Sequence, residues 1–194
     1  MGFAPNPFYG VCTLAACKPI IRRRARIGDY VMGTGSAKRR RSGYLVFWMK
    51  ITTITTFSEY WTDPAFRTKK PFMSGSLKLA FGDNIYFKAS PEEEYQQVYS
   101  FHSNRDGSTH ADNFHDDVGI TDRIMLSNEF IYFGGDGPSI PNELDRFVHK
   151  YRNHRRFADE DATPAIRWLS GLGDFGVRGE PTEWKYVRKR RFSK

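Results

Sequence analysis

Cysteine is nearly missing from this sequence: Cys12 and Cys17 are the only two in 194 residues. That excludes a disulfide scaffold and a four-cysteine zinc site, and it fits a reducing compartment. Long apolar runs are missing as well. No stretch approaches the ~20 apolar residues of a membrane helix, so no span is expected. Residues 1–9 lack a basic region followed by an apolar run, so no secretory signal is read there and the expected location is the cytoplasm. The common catalytic signatures are absent too: no P-loop, no Gly-x-Gly-x-x-Gly, no His-Glu-x-x-His, no deaminase pairing of His-x-Glu with Pro-Cys-x-x-Cys, no kinase signature, no Ser/His/Asp order and no nucleophile-elbow motif. No cofactor is indicated, and no repeat or interior linker is visible.

What is present is aromatic and basic. Sixteen Phe, ten Tyr and four Trp argue for a packed core rather than a disordered chain. Lys and Arg number 30 against 22 Asp and Glu, a net charge of +8. The cations are grouped: Arg22-Arg23-Arg24-Ala25-Arg26, Lys38-Arg39-Arg40-Arg41, Arg188-Lys189-Arg190-Arg191, and a looser set from Arg146 through Lys150, Arg152, Arg155 and Arg156. Acidic residues gather at Glu92-Glu93-Glu94 and between Asp106 and Asp122. Such separation suits an anion-binding face, and equally a set of solvated helix ends and loops.

Local patterns predict a mixed α+β chain. A short helix is expected at Thr13–Ala16, and a second begins at Pro19 and ends by Gly28. Tyr30–Met32 reads as a strand, Gly33-Thr34-Gly35-Ser36 as a loop, and Tyr44–Thr56 as one long strand of β-branched and aromatic residues. Phe57–Phe66 reads as a helix interrupted at Pro64, Asn84–Lys88 as a strand and Pro91–Val98 as helix. One or two strands are expected over Ile124–Phe133, and a basic amphipathic helix over Asn142–Arg156. A last helix, Thr163–Leu169, precedes a glycine-rich loop over Gly171–Gly179. These elements fit a single α+β domain over 1–187, a small curved β-barrel or sheet with flanking short helices, followed by a basic tail at 188–194.

Several clusters are candidates for chemistry. Thr13, Cys17, Lys18, Arg22 and Arg23 could line an anion or base pocket, or simply pack into the core. Gly33, Thr34, Gly35 and Ser36 could cradle a phosphate or form an ordinary tight connection. Of the neighbours Tyr60 and Trp61 only one can point fully inward on a helix. The other could stack on a base, an interaction worth ~1–3 kcal/mol, or both could simply fill core and rim. His110, His115, Asp116 and Asp117 could supply acid/base or metal chemistry, although their polar surroundings read as a surface loop.

The blocks Gly2-Phe3-Ala4-Pro5-Asn6-Pro7-Phe8, Cys12-Thr13-Leu14-Ala15-Ala16-Cys17-Lys18-Pro19 and Gly28-Asp29-Tyr30-Val31-Met32-Gly33-Thr34-Gly35-Ser36 resemble the second family of nucleotide-modification-associated domains. So do Tyr60-Trp61, Lys69-Lys70-Pro71, Gly82-Asp83-Asn84-Ile85-Tyr86 and Phe130-Ile131-Tyr132-Phe133-Gly134-Gly135. The resemblance implies a bacterial protein that accompanies nucleotide modification or the handling of modified DNA, including phage defence. It adds Lys70, Asp83 and Asn84 to the nucleotide-binding candidates. The order of segments is also similar to EVE and other PUA-like domains, small β-barrels that bind RNA or capture modified bases. That similarity implies a β-strand before Gly2, where this chain begins directly at Met1. The expectation is a cytosolic module that binds a nucleotide or nucleic acid and recognises a modified base. The alternatives are a nucleotide-processing enzyme built on His110, His115, Asp116 and Asp117, or a structural partner in a modification or defence assembly.

Overall fold

In the computed structural model, which describes residues 4–36, 41–148, 154–184 and 187, short strands and short helices alternate along the chain. Lys38-Arg39-Arg40, Lys150, Arg152 and the tail expected at 188–194 lie outside the described residues, as does the start of the Gly2–Phe8 block. Among the described residues no helix is long and apolar enough to cross a membrane.

The elements in chain order are β1 (Cys12–Leu14), α1 (Pro19–Arg24), β2 (Tyr30–Thr34), β3 (Leu45–Lys50), β4 (Thr53–Thr56), α2 (Phe57–Thr62), a 3₁₀ turn (Pro64–Lys69), α3 (Leu77–Ala80), β5 (Tyr86–Phe87) and β6 (Gln96–Gln97). They continue with α4 (Ala111–Phe114), a π turn (His115–Gly119), β7 (Arg123–Ser127), β8 (Glu129–Tyr132), a 3₁₀ turn (Asn142–Phe147), α5 (Asp159–Ser170) and β9 (Gly176–Val177). The strands form three sheets, in the orders β1-β7-β4, β2-β3-β8-β9 and β5-β6. The fold is therefore α+β, and of the two expected forms, a curved barrel or a sheet, the described strands make separate sheets and no closed barrel.

Several local expectations are corrected. Thr13 lies in strand β1 rather than a helix, because Cys12, Thr13 and Leu14 pair with Ser127, Leu126 and Met125 of β7. The long strand expected over Tyr44–Thr56 breaks at Ile51-Thr52, where the chain leaves β8 as a partner and joins β7. Gly33 and Thr34 extend β2 instead of forming a loop. A Cβ on Gly33 would sit 2.1 Å from the Phe47 ring, so this glycine serves a close cross-strand contact. The segment expected to be helical at Pro91–Val98 is a turn entering β6, and the helix expected over Asn142–Arg156 is a 3₁₀ turn ending at Phe147. Periodicity alone cannot separate these cases, because tertiary pairing overrides weak local preference.

Three apolar clusters hold the sheets. One gathers Phe57, Tyr60, Phe81, Ile85, Tyr86, Ile124 and Trp184 beneath α2 and β5. A second packs Met49, Ile51, Met125 and Phe130 between the two larger sheets. The third sets Leu45, Trp48 and Ile131 against Leu144, Phe147 and Leu169. Two buried polar networks are embedded in the first region, one at each end of β1.

Candidate active site

The strand β1 delivers Ala15 and Ala16 into the core and then turns sharply into α1. Cys17 (φ 60°) and Lys18 (φ 49°) both occupy the left-handed region at that turn. Neither is glycine, so each conformation costs ~1–3 kcal/mol and must be held by its surroundings. Pro19 opens α1 with its fixed φ and no donor to leave unpaired.

The holding groups converge on Asp117, which is wholly buried in the π turn. Its Oδ1 accepts the Cys17 amide at 2.5 Å. Its Oδ2 accepts the Tyr86 hydroxyl at 2.8 Å and faces His102 Nδ1 at 2.8 Å. The other ring nitrogen, His102 Nε2, stands 3.4 Å from Cys17 Sγ. Cys17, His102 and Asp117 thus form one line of sulfur, imidazole and carboxylate. Exposure falls along it: the cysteine is half-buried, the His102 side chain is 11% exposed and the carboxylate is sealed.

Each member is pinned from behind. Phe101 stacks on Phe81 with ring centroids 4.1 Å apart, which fixes the backbone beside His102. The His102 carbonyl accepts Asn113 Nδ2 at 2.7 Å, and its amide donates to Ser100 Oγ at 3.1 Å. Gln97 donates to the Tyr86 hydroxyl at 3.0 Å, which orients that hydroxyl's own proton toward Asp117. Fully buried Arg22 lies 3.8 Å from Asp117 Oδ1 and places its guanidinium over the Phe57 ring at 5.4 Å. Its donors go to backbone carbonyls: Nε to Cys17 at 3.0 Å, one terminal nitrogen to Thr121 and Arg123, the other to Asp116 and Asp117.

Burial disfavours the His102 cation, but the hydrogen bonds to Asp117 and Cys17 and their negative charge outweigh it, raising the pKa to about 9. Protonation of His102 therefore stabilises the folded chain. That contribution is complete below the ordinary histidine value near 6.5 and is lost as pH rises through about 9. Thermal unfolding midpoints should fall across pH 6.5–9 in the native protein and fall less in His102→Gln. Matching slopes in the two proteins would show that His102 does not carry the linkage.

The predicted site residues separate into groups. Cys17 and Arg22 enter the Asp117 network, and Lys18 and Arg23 are exposed beside it. Thr13, Tyr60, Asp83 and Asn84 are buried in a second network. There Asp83 accepts the hydroxyls of Thr13 at 2.5 Å and Tyr60 at 2.9 Å, and Asn84 donates to the Tyr60 carbonyl at 2.7 Å. Lys69 closes that network, its ammonium donating to Val11 O at 2.7 Å and Asn6 O at 2.9 Å. Trp61 turns outward, stacked on Phe87 at 4.8 Å with the Lys70 ammonium 3.6 Å from its ring centroid. Gly35 lies against the Arg41 backbone, where a Cβ would meet the carbonyl oxygen at 2.2 Å. Gly33 and Thr34 pair with β3, and the chain then leaves the sheet, with the Gly35 amide donating to Tyr44 O at 2.8 Å and Ser36 O accepting the Arg41 amide at 3.2 Å.

Of the acidic–histidine cluster, only Asp117 joins the cysteine. His110 caps α4 through Nδ1, at 3.4 Å from the Asn113 amide, while His115 packs against Gly119 and Asp116 is exposed. Among the described residues no three His, Cys, Asp or Glu side chains gather as metal ligands. Sequence reading missed His102, whose polar surroundings carry no spacing signal. The one available hint was a cysteine with histidines and aspartates far downstream, which become neighbours only in the folded chain.

The arrangement defines a class: a thiol backed by an imidazole and a buried carboxylate, set on a strained strand-to-helix turn. The chain belongs to the family described as nucleotide modification associated domain 2, which matches residues 1–188. Searches of curated proteins and of solved structures gave no match.

Proposed function

We propose that this protein is a nucleotide-processing enzyme of a nucleotide-modification system, with Cys17 as nucleophile. His102 moves its proton, and Asp117 holds the imidazole in place. One observation carries the reading: Sγ, Nε2, Nδ1 and Oδ2 stand in sequence at 3.4 Å and 2.8 Å, with the sulfur at the exposed end. This keeps Asp117 from the enzymatic alternative and replaces the other three residues by Cys17 and His102. The family and the exposed cations Lys18, Arg23 and Arg24 support a nucleotide or nucleic acid as substrate.

Iodoacetamide should modify Cys17 and spare the fully buried Cys12. His102→Gln should slow that modification at neutral pH by at least about tenfold, since both proton transfer and the charge partner of the sulfur are lost. Peptide mass spectrometry reads both results. An unchanged rate in the variant would reduce the line to a structural network. A binding module that recognises a modified base without turnover is the second reading, supported by the net charge of +8. Under it, nucleic acid binds in a salt-dependent way and Cys17→Ala leaves the biological output intact.

A further inference from the structure

We propose that the reaction at Cys17 is acyl transfer, acting on an ester, thioester or amide carbonyl borne by a phosphorylated nucleotide. This rests on Cys17 being the nucleophile and adds the reaction type and substrate class.

The first support is the turn itself. A strand, a left-handed nucleophile and an immediately following helix lift the reactive atom clear of the sheet, as nucleophile-elbow enzymes do without sharing this sequence. The conformation is held at both ends of the residue, by Asp117 on the Cys17 amide and Arg22 on the Cys17 carbonyl. The next amide, that of Lys18, has no partner among the described residues, and Pro19 follows without an N–H. An unpaired donor one residue after the nucleophile is what a developing carbonyl oxyanion requires.

The second support is the imidazole. His102 presents one nitrogen to the sulfur while the carboxylate holds the other, so the proton shared between sulfur and ring stands ready for a leaving group. The third is what Arg22 does not offer. Phosphoryl transfer to sulfur needs a cation on the three equatorial oxygens, whereas every nitrogen of the Arg22 guanidinium is turned to backbone carbonyls. The cations that remain exposed, Lys18, Arg23 and Arg24, stand on the same turn and helix. They suit a phosphate elsewhere on the substrate.

The step balances without an oxidant or reductant. The sulfur–carbon bond forms, the bond from the carbonyl carbon to the leaving group breaks, and the proton held between Cys17 Sγ and His102 Nε2 passes to that group. Water or an amine then adds to the thioester and passes a proton to His102, and the departing sulfur recovers it.

The test uses p-nitrophenyl acetate on the full chain. One acetyl group should appear on Cys17, removable by hydroxylamine, with none on Cys17→Ala and at least a tenfold slower appearance in His102→Gln. Unfolding midpoints for each variant establish that they fold, and Cys17→Ser replaces Cys17→Ala if the latter does not. If Cys17 takes iodoacetamide in a His102-dependent way yet never carries acetyl, acyl transfer is wrong while the nucleophile stands. If neither reagent reaches Cys17, the proposed function itself fails.

Discussion

Replacing Asp117 by Ala should cost roughly 3–5 kcal/mol of stability, the range for removing one partner of a buried charge pair. The side chain is wholly buried and satisfies Cys17 N–H, Tyr86 O–H and His102, while facing Arg22 at 3.8 Å. Its loss leaves a guanidinium with no solvent exposure and without its strongest counter-charge, and burial already lowers the pKa of Arg22 against the pull of Asp117. It also removes one of the two holds on the strained turn at Cys17 and Lys18, leaving only Arg22 on the Cys17 carbonyl. At about 2–4 °C per kcal/mol for a chain of this size, the unfolding midpoint should fall by roughly 6–20 °C. Asp117→Asn should be milder in stability, because the amide oxygen can still accept, yet equally damaging to Cys17 alkylation. A melting curve for Asp117→Ala that overlays the native one would remove Asp117 from its central place.

Lys69→Met should be comparably costly, by roughly 3–5 kcal/mol, for a reason with the opposite charge. Burial lowers the Lys69 pKa to about 8 although Asp83 and Cys12 pull it upward, and burial raises that of Asp83 although Lys69 pulls it down. The two are linked by Thr13, whose hydroxyl donates to Asp83 at 2.5 Å and lies 3.4 Å from the ammonium. Methionine fills the volume but leaves the carboxylate uncompensated, takes the Lys69 donor from the Val11 carbonyl, and leaves the Asn6 carbonyl with Thr13 alone. Lys69→Met with Asp83→Asn should recover part of the loss, since no buried charge then remains. The pH signature has a definite sign. Between about 8 and the ordinary lysine value of 10.5 the unfolded chain binds the extra proton, so stability rises with pH there. That rise should vanish in Lys69→Met, and urea titrations at pH 8 and pH 10 would show it. If the double variant is no more stable than Lys69→Met, the charge argument is wrong and packing governs the site.

These two networks mark where sequence reasoning stops. Composition settled the aromatic core, the exclusion of a disulfide scaffold and the basic character, because each depends on residue counts alone. Local rules placed the helix opening at Pro19, the strand beginning at Tyr30, the helix beginning at Phe57 and the strands within Ile124–Phe133, since each has a strong boundary or period of its own. The family blocks were legible for the same reason, being runs of adjacent residues matched over 1–188. Cys17 was visible as a candidate and Asp117 as part of an acidic cluster, but their connection was not. Cys17 and Asp117 are 100 positions apart, and His102, 85 from Cys17, is joined to both only after β5 and β6 pair and the π turn rotates the carboxylate inward. Arg22 shows the same divide. Its neighbours in sequence are surface cations, and only packing under Phe57 decides that this one arginine faces inward and supports the turn rather than a ligand. Adjacent residues carry chemistry that sequence can report. Convergence of distant side chains depends on which face of each short element is buried, and tertiary structure alone decides that.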